Sequence, residues 1–298
     1  MGRGEARRRR VPDWAGTALT VGVFAALMLL ERRRPLRGRS EPRWRRDARN
    51  LAVAAASAAT LRIAERPVVE PLSQLVERRR WGLLKQLDLP VWVELPAAVV
   101  LMDYTLYLWH VLTHRVPWLW RLHKVHHADL DLSATTALRF HFAEMALSVP
   151  WRAAQVVLIG VGPRALSTWR SALFVSILFH HSNLRLPAGI ERRLVRVVVT
   201  PRMHGIHHSV VRDEMDSNWS SGLTAWDRLH GTLKLDVPQH RITIGVPDHR
   251  DPREVTLGKI LAMPFGRDRG ERHPTQEARP VPSRREGLHA SAATPGPG

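Results

Sequence analysis

Apolar stretches dominate the first 180 residues, and the polar residues in and around them decide how each is read. Trp14 to Leu30 is uncharged; as a helix it is roughly 25 Å long, just enough to cross a bilayer core. Arg7–Arg10 precede it and Glu31–Arg34 follow it, with no small-residue cleavage site after it, so it reads as a retained anchor rather than a signal peptide. Leu51 to Ala64 is alanine-rich, interrupted by Arg62 and short for a span; an interfacial or soluble helix fits it as well as a crossing does. Leu89 to Leu108 is a third apolar segment, carrying Glu94 and Asp103. Met145–Val161 and Ala165–Phe179 are split by Gly160, Gly162 and Pro163, and each holds an arginine, Arg152 and Arg170. They predict a helical hairpin that enters the membrane without simple crossings. Beyond Gly266 the chain is rich in Pro, Arg, Gly and Glu with few large apolar residues, the composition of a disordered tail.

Charge sharpens this picture. The 298 residues carry a formal charge of +18, almost wholly from arginine, since there are only four lysines. A nucleic-acid binder would join a basic patch to a groove-reading or base-stacking element, and no finger, helix-turn-helix or aromatic stacking motif is present. Arginine clusters at the ends of apolar segments instead follow the rule for cytoplasmic loops, and residues 31–50 alone hold nine arginines. The pattern therefore predicts an all-α integral-membrane helical bundle with a cytoplasmic, histidine-rich helical cap. It divides the chain into a basic leader with anchor helix and arginine-rich loop (1–50), a membrane-embedded domain (51–265) and a tail (266–298). If the 31–50 loop is cytoplasmic, every histidine cluster emerges on that same face. The five basic residues from Arg66 to Lys85 run against that arrangement.

The chain has no cysteine. Disulfides, thiolate zinc sites, iron–sulfur clusters and cysteine nucleophiles are excluded, so a transition metal would be held by imidazole and carboxylate. The 16 histidines are clustered. His110 and His114 are four apart at the end of the third apolar segment, on one helix face. Asp103, Tyr107, His110 and His114 follow i, i+4, i+7, i+11, one stripe. A carboxylate inside an apolar helix is costly without a partner, and Asp103 is expected to accept the free ring N–H of a metal-bound histidine. His123-Lys-Val-His126-His127 and His204-Gly-Ile-His207-His208 share H-x-x-H-H, and i, i+3, i+4 converge on one helix face. Surface histidines placed at random do not generate this repetition.

So many imidazoles suit two metals, each with four or five ligands and an open position. Neutral imidazole binds Fe, Zn, Cu and Ni alike, so ligand type does not name the metal. The zinc-protease H-E-x-x-H is missing, because Lys124/Val125 and Gly205/Ile206 stand at the relevant positions. A histidine-zinc hydrolase with Asp213, Glu214 or Asp216 as base stays open, as does, less readily, a metal transporter; a transporter would place ligands near the midplane of broken helices, whereas these clusters sit at segment ends.

At this point the sequence resembles a known family. Asp103-x-x-x-Tyr107-x-x-His110-x-x-x-His114 and the two H-x-x-H-H boxes are similar to the fatty acid hydroxylase / sterol desaturase superfamily. Arg139-Phe140-His141 with Glu144, Phe179-His180-His181-Ser182-Asn183, Asp216-x-Asn218 and Trp226-Asp227-Arg228-Leu229-His230-Gly231-Thr232 resemble its further motifs, so the likeness covers Asp103 to Lys234. Trp219-Ser220-Ser221 departs from the aromatic residue and glycine usual there. The resemblance implies two Fe ions (Zn as purified being an alternative), with O2 as co-substrate, held by His110, His114, His123, His126, His127, His141, His180, His181, His204, His207 and His208. It implies Asp103, Tyr107, Asn183, Asn218 and Asp227 as catalytic. It further implies a membrane lipid as substrate, fatty acyl or sterol-like, hydroxylated or desaturated. An external electron donor (ferredoxin, cytochrome or reductase) is implied too, because no Gly-rich dinucleotide fingerprint is present. Nucleic acid is not an expected partner, and a bacterial-type inner membrane, histidine boxes facing the cytoplasm, is the expected location.

Overall fold

The computed structural model describes residues 13–266. Arg7–Arg10 and the tail after Gly266 lie outside the described residues. Among the described residues the architecture is helical, and strand-like pairing is limited to the isolated bridges Pro35↔Leu184, Val198↔Leu223 and Ser209↔Ile244. The expected anchor becomes α1 (Asp13–Arg33). The arginine-rich stretch then folds into α2 (Arg43–Thr60), so the division expected between residues 50 and 51 falls inside this helix. A π-helical turn, Leu61–Glu65, carries α2 into α3 (Arg66–Arg79); Pro67 offers no N–H to that junction, and a widened turn accommodates its ring.

Arg80, at φ 54, stops α3 and turns the chain toward α4 (Leu83–Gln86). Gly82 (φ 91) lies against the backbone of Gly160 so closely that a Cβ would collide with it, which pins the two ends together. α5 (Val91–Arg115) follows, and Pro117 sets its end by holding Val116 extended before α6 (Pro117–His127). A buried loop leads to α7 (Phe142–Ile159), and Gly160 and Pro163 make the turn into α8 (Pro163–His181). The remaining elements are short: α9 (Ala188–Leu194), α10 (Pro201–His207), α11 (Arg212–Met215), α12 (Ala225–Leu229) and α13 (Leu257–Ala262).

Among the described residues two helices, α5 and α7, are long and apolar enough to cross a membrane. Only 22% and 28% of their apolar windows are buried by the rest of the protein, so they present an apolar exterior that a soluble core helix would not. The polar residues that interrupt the apolar runs are satisfied internally. Arg152 lies 4.3 Å over the Trp169 ring and bonds Gln155 at 2.7 Å; Arg170 pairs with Glu65 at 2.6 Å and Glu70 at 3.1 Å. Lys85, between Glu77 and Glu94, is buried at the end where Gly82 meets Gly160. One core joins α3, α5, α7 and α8 through Val69, Met102, Val156 and Trp169. A second, around Val53, Val125, Leu130 and Ile260, locks α2 and α13 to the end of α6.

Candidate metal centre

The histidines gather where four helices finish. His110 and His114 end α5, His126 and His127 end α6, His180 and His181 end α8, and His204, His207 and His208 span and follow α10. The carbonyl ends of helices carry partial negative charge, so this convergence favours a cation. Eight of the eleven expected ligands form two buried groups of four, His110/His114/His127/His207 and His126/His181/His204/His208, with ligand atoms within 4.8 Å of one another in each group. The ring centroids of His127 and His208, one from each group, are 4.3 Å apart, so the groups adjoin.

The donor chemistry fits metal. Nδ1 of His110 donates to the Trp219 carbonyl (2.7 Å), Nδ1 of His207 to the Ser217 carbonyl (2.9 Å) and Nδ1 of His181 to the Ile177 carbonyl (2.8 Å). A neutral imidazole has one N–H; spent on a carbonyl at Nδ1, it leaves Nε2 a bare lone pair. The Nε2 atoms of His110, His114, His127 and His207 are buried without hydrogen-bond partners. In the second group, His181 Nε2 lies 3.0 Å from both His126 Nε2 and His204 Nε2, and His208 Nε2 lies 3.1 Å from His204 Nε2. Ligand atoms about 2.0–2.1 Å from a tetrahedral ion stand roughly 3.3 Å apart, close to this spacing. Burial, then neighbouring imidazoles, hold His204 and His208 well below the ordinary histidine range, and burial takes His207 to about 3. Neutral is the form a metal needs.

Three expected ligands lie outside the two groups. His123 adjoins the first: its ring centroid is 5.1 Å from those of His110, His114 and His127, its Nε2 is buried without partner, and its Nδ1 bonds Glu144 at 2.8 Å. His180 is buried behind the second, 4.2 Å from the His204 ring. His141 is elsewhere. Its Nδ1 accepts from Ala143 N (3.1 Å) to cap α7, and its Nε2 bonds the Leu261 carbonyl (3.2 Å); both nitrogens are engaged apart from the two groups.

The expected catalytic residues are likewise turned to other partners. Asp103, expected against a histidine ring, accepts from Leu223 N (2.9 Å) and Trp226 Nε1 (2.7 Å) and clasps α5 to the 219–232 segment. Tyr107 bonds Thr232 (3.1 Å) and stacks on His230 (5.0 Å) in the same clasp. Asp227 receives Trp219 N (2.9 Å), Ser220 N (3.0 Å) and the Thr232 hydroxyl (2.6 Å). Asn218, at φ 55, bonds the Met203 and Lys234 carbonyls (3.0 and 2.7 Å) and Lys234 N (2.8 Å). Asn183 ties α8 to the segment after α1, through Arg37 N and O (2.9 and 3.0 Å). Asp216, a possible hydrolytic base, faces Arg115 at 3.3 Å and Arg212 at 3.7 Å.

Sequence reasoning missed the polar support under the second box. Asp129 receives Arg46 Nε (3.0 Å), Asn50 Nδ2 (2.8 Å) and Thr136 Oγ1 (2.7 Å). Burial alone would raise its carboxyl; Arg46, Arg139 and Arg49 hold it down at about 2. Arg139 in turn bonds the Val125 carbonyl (2.9 Å), and Phe140 stacks on the His126 ring at 4.4 Å. The signal was present: Arg46, Asn50, Val53 and Ser57 are the buried face of α2 at i, i+4, i+7, i+11.

Comparison with known proteins bears on the same residues. Residues 95–232 match the family model for fatty acid hydroxylase. An ornithine lipid hydroxylase of Rhizobium tropici is 30% identical over 181 residues, 60% of this chain and 52% of the relative. A cholesterol 25-hydroxylase-like protein of Danio rerio is 33% identical over 175 residues, 56% of this chain and 62% of the relative. An alkylglycerol monooxygenase of Xenopus tropicalis is 30% identical over 139 residues, covering 44% and 28%. The chain thus spans roughly half the length of the first curated relatives. No solved structure matches it.

Proposed function

We propose, from the match of residues 95–232 to the fatty acid hydroxylase model and the likeness to lipid and sterol hydroxylases, that this chain is a member of that superfamily and a membrane-bound oxygenase that hydroxylates a lipid. One observation carries the reading: two adjoining groups of four buried, neutral histidines, their Nε2 atoms converging at one end of a helix bundle. His110, His114, His127 and His207 would hold one iron, with His123 as a fifth donor supported by Glu144; His126, His181, His204 and His208 would hold the other. Iron bound there would activate O2, so that one oxygen enters a C–H bond and the other leaves as water with two electrons and two protons drawn from the external donor and solvent. The backbone carbonyls of Trp219, Ser217 and Ile177 fix the tautomers of His110, His207 and His181, and the burial of the rings keeps bulk water out. Hydroxylation is favoured over desaturation by the hydroxylase and monooxygenase names of the relatives.

The lipid reaches the centre from the membrane beside α5 and α8, the helices whose final turns carry His110, His114 and His181. The two electrons are assigned to an external donor, a ferredoxin, cytochrome or reductase. The exposed arginines of residues 31–50, Arg32, Arg33, Arg34, Arg39 and Arg45, support a cytoplasmic histidine end. Metal analysis of the purified protein, with a lipid comparison of cells with and without it, tests the reading. About two irons per chain and a new hydroxylated lipid are expected. A single zinc with lipids unchanged, even with a reductase supplied, would overturn it.

A further inference from the structure

A second surface stands outside the metal centre. α9, the turn after it and α12 are stitched into one unit: Val199 N donates to the Gly222 carbonyl (3.1 Å), Thr224 N to the Val197 carbonyl (3.0 Å), and the Arg228 guanidinium to the Arg196 and Val195 carbonyls (2.6 and 3.0 Å). Its outer face carries three exposed apolar side chains, Ile190 (49%), Val197 (59%) and Leu229 (68%). Between them stand Arg192, Arg193, Arg196 and Arg228, all exposed. The two carboxylates of the unit are turned inward, Glu191 onto Thr200 and Asp227 onto the backbone of Trp219 and Ser220. Outward charge is therefore of one sign, interleaved with apolar side chains.

The depth of this unit is set by α5. Tyr104 stacks on His230 (5.8 Å), packs against Trp226 (4.8 Å), and its hydroxyl lies 3.2 Å from His230 Nε2. Tyr104 is six residues before His110, about 9 Å along the axis, inside the apolar stretch and next to Asp103. The unit is thus tied at that level to α5, a helix long and apolar enough to span.

We propose that the α9–α12 surface is an in-plane anchor seated on an anionic lipid leaflet. Ile190, Val197 and Leu229 enter the acyl boundary, and Arg192, Arg193, Arg196 and Arg228 engage headgroup phosphates. An acidic protein is the weaker occupant: the apolar side chains alternate with the arginines along the chain rather than forming one patch, and the adjoining segment is bonded to α5, a helix apolar enough to span. The inference rests on α5 lying in the membrane and is independent of the metal reading.

The absence of cysteine makes the test direct. Full-length Leu229→Cys and Arg253→Cys proteins, each carrying a nitroxide, are reconstituted in nanodiscs of phosphatidylcholine with or without phosphatidylglycerol, and the label's accessibility to O2 and to a water-soluble nickel complex is read. The label at 229 is expected to be lipid-like, and the one at the exposed Arg253 site aqueous. Adding R192Q, R193Q and R196Q should raise nickel access at 229 several-fold and abolish its dependence on phosphatidylglycerol, with histidine-bound metal content unchanged. A label at 229 as aqueous as that at 253 overturns the proposal, including where the same arginines prove to hold an acidic protein. Lipid-like exposure at 229 that ignores both lipid charge and the arginine changes overturns the headgroup assignment.

Discussion

His110 and Trp219, 109 positions apart in sequence, are joined by one hydrogen bond from the imidazole Nδ1 to the backbone carbonyl at 2.7 Å. That bond fixes which nitrogen of His110 faces the centre, and its acceptor is itself fixed, because Asp227 receives the backbone N–H groups of Trp219 and Ser220. The Trp219 ring, edge-on to Tyr107 and beneath the Arg115 guanidinium at 5.2 Å, closes the same corner. A carboxylate that touches no ligand thus sets a ligand's tautomer.

Asp227→Asn should therefore weaken metal binding without removing a ligand. The asparagine amide presents a donor to one of two N–H groups that now bond a carboxylate, and the 219–220 backbone shifts. Loss of a supporting partner of this kind costs roughly 10–100-fold in metal affinity. Competition with a chelator, read as metal retained per chain, checks it; helical content should be unchanged. Retention equal to the unaltered protein would remove Asp227 from this role.

His207→Ala and His141→Ala should separate cleanly. His207 Nε2 is a buried lone pair in the first group, and its loss should empty that group and abolish lipid oxidation. His141 caps α7 and touches neither group, so its loss should cost about 1 kcal/mol of stability with metal content intact. Metal content and thermal unfolding of the two variants, side by side, provide the measurement.

Much of the centre was legible because its ligands obey helical spacing: i, i+4 at His110 and His114, and i, i+3, i+4 in both boxes, place imidazoles on one face whatever the tertiary structure. What supports them was not. Asp103 shares the stripe of His110, yet seven residues put it about 10 Å up the axis, out of reach of that ring, and its partners Leu223 and Trp226 arrive only through folding. The nine arginines of 31–50 suggested a solvated loop, but Arg46 is buried on Asp129, 83 residues away. Charge density alone cannot separate a cytoplasmic loop from an internal ion network; the buried stripe of α2 can.

Asp129 predicts a pH dependence. Its folded-state carboxyl, at about 2, lies below the ordinary 3.8, so its contribution is complete above pH 4 and is lost as pH falls through that window to 2. The shift corresponds to about 2 kcal/mol. Unfolding of the chelator-treated protein, followed by circular dichroism from pH 5 to 2, should show this limb. Asp129→Asn should flatten it and lower stability at pH 7 by roughly 3–5 kcal/mol, since Arg46 and Arg139 keep their buried charges without a partner. An unchanged acid limb in the variant would assign the dependence to other groups.

Gly205 is the residue that lets the third box lie against the arginine-rich segment. A Cβ there would collide with the Arg37 guanidinium, which donates to the Pro201 carbonyl at 2.5 Å and is buried enough for its charge to be pushed down to about 9. Arg37 cannot move aside freely, because its own backbone is bonded to Asn183 and its Nε and Nη1 are enclosed. Gly205→Ala must then displace either the guanidinium or α10, and α10 carries His204 and His207 into opposite groups. The expected cost is about 1–3 kcal/mol of overpacking, with metal loss in both groups together rather than in one. The double variant Arg37→Ala/Gly205→Ala separates the causes. Relief of the collision should restore metal binding beyond the Gly205→Ala level, a non-additivity that a mere change in helix propensity would not produce.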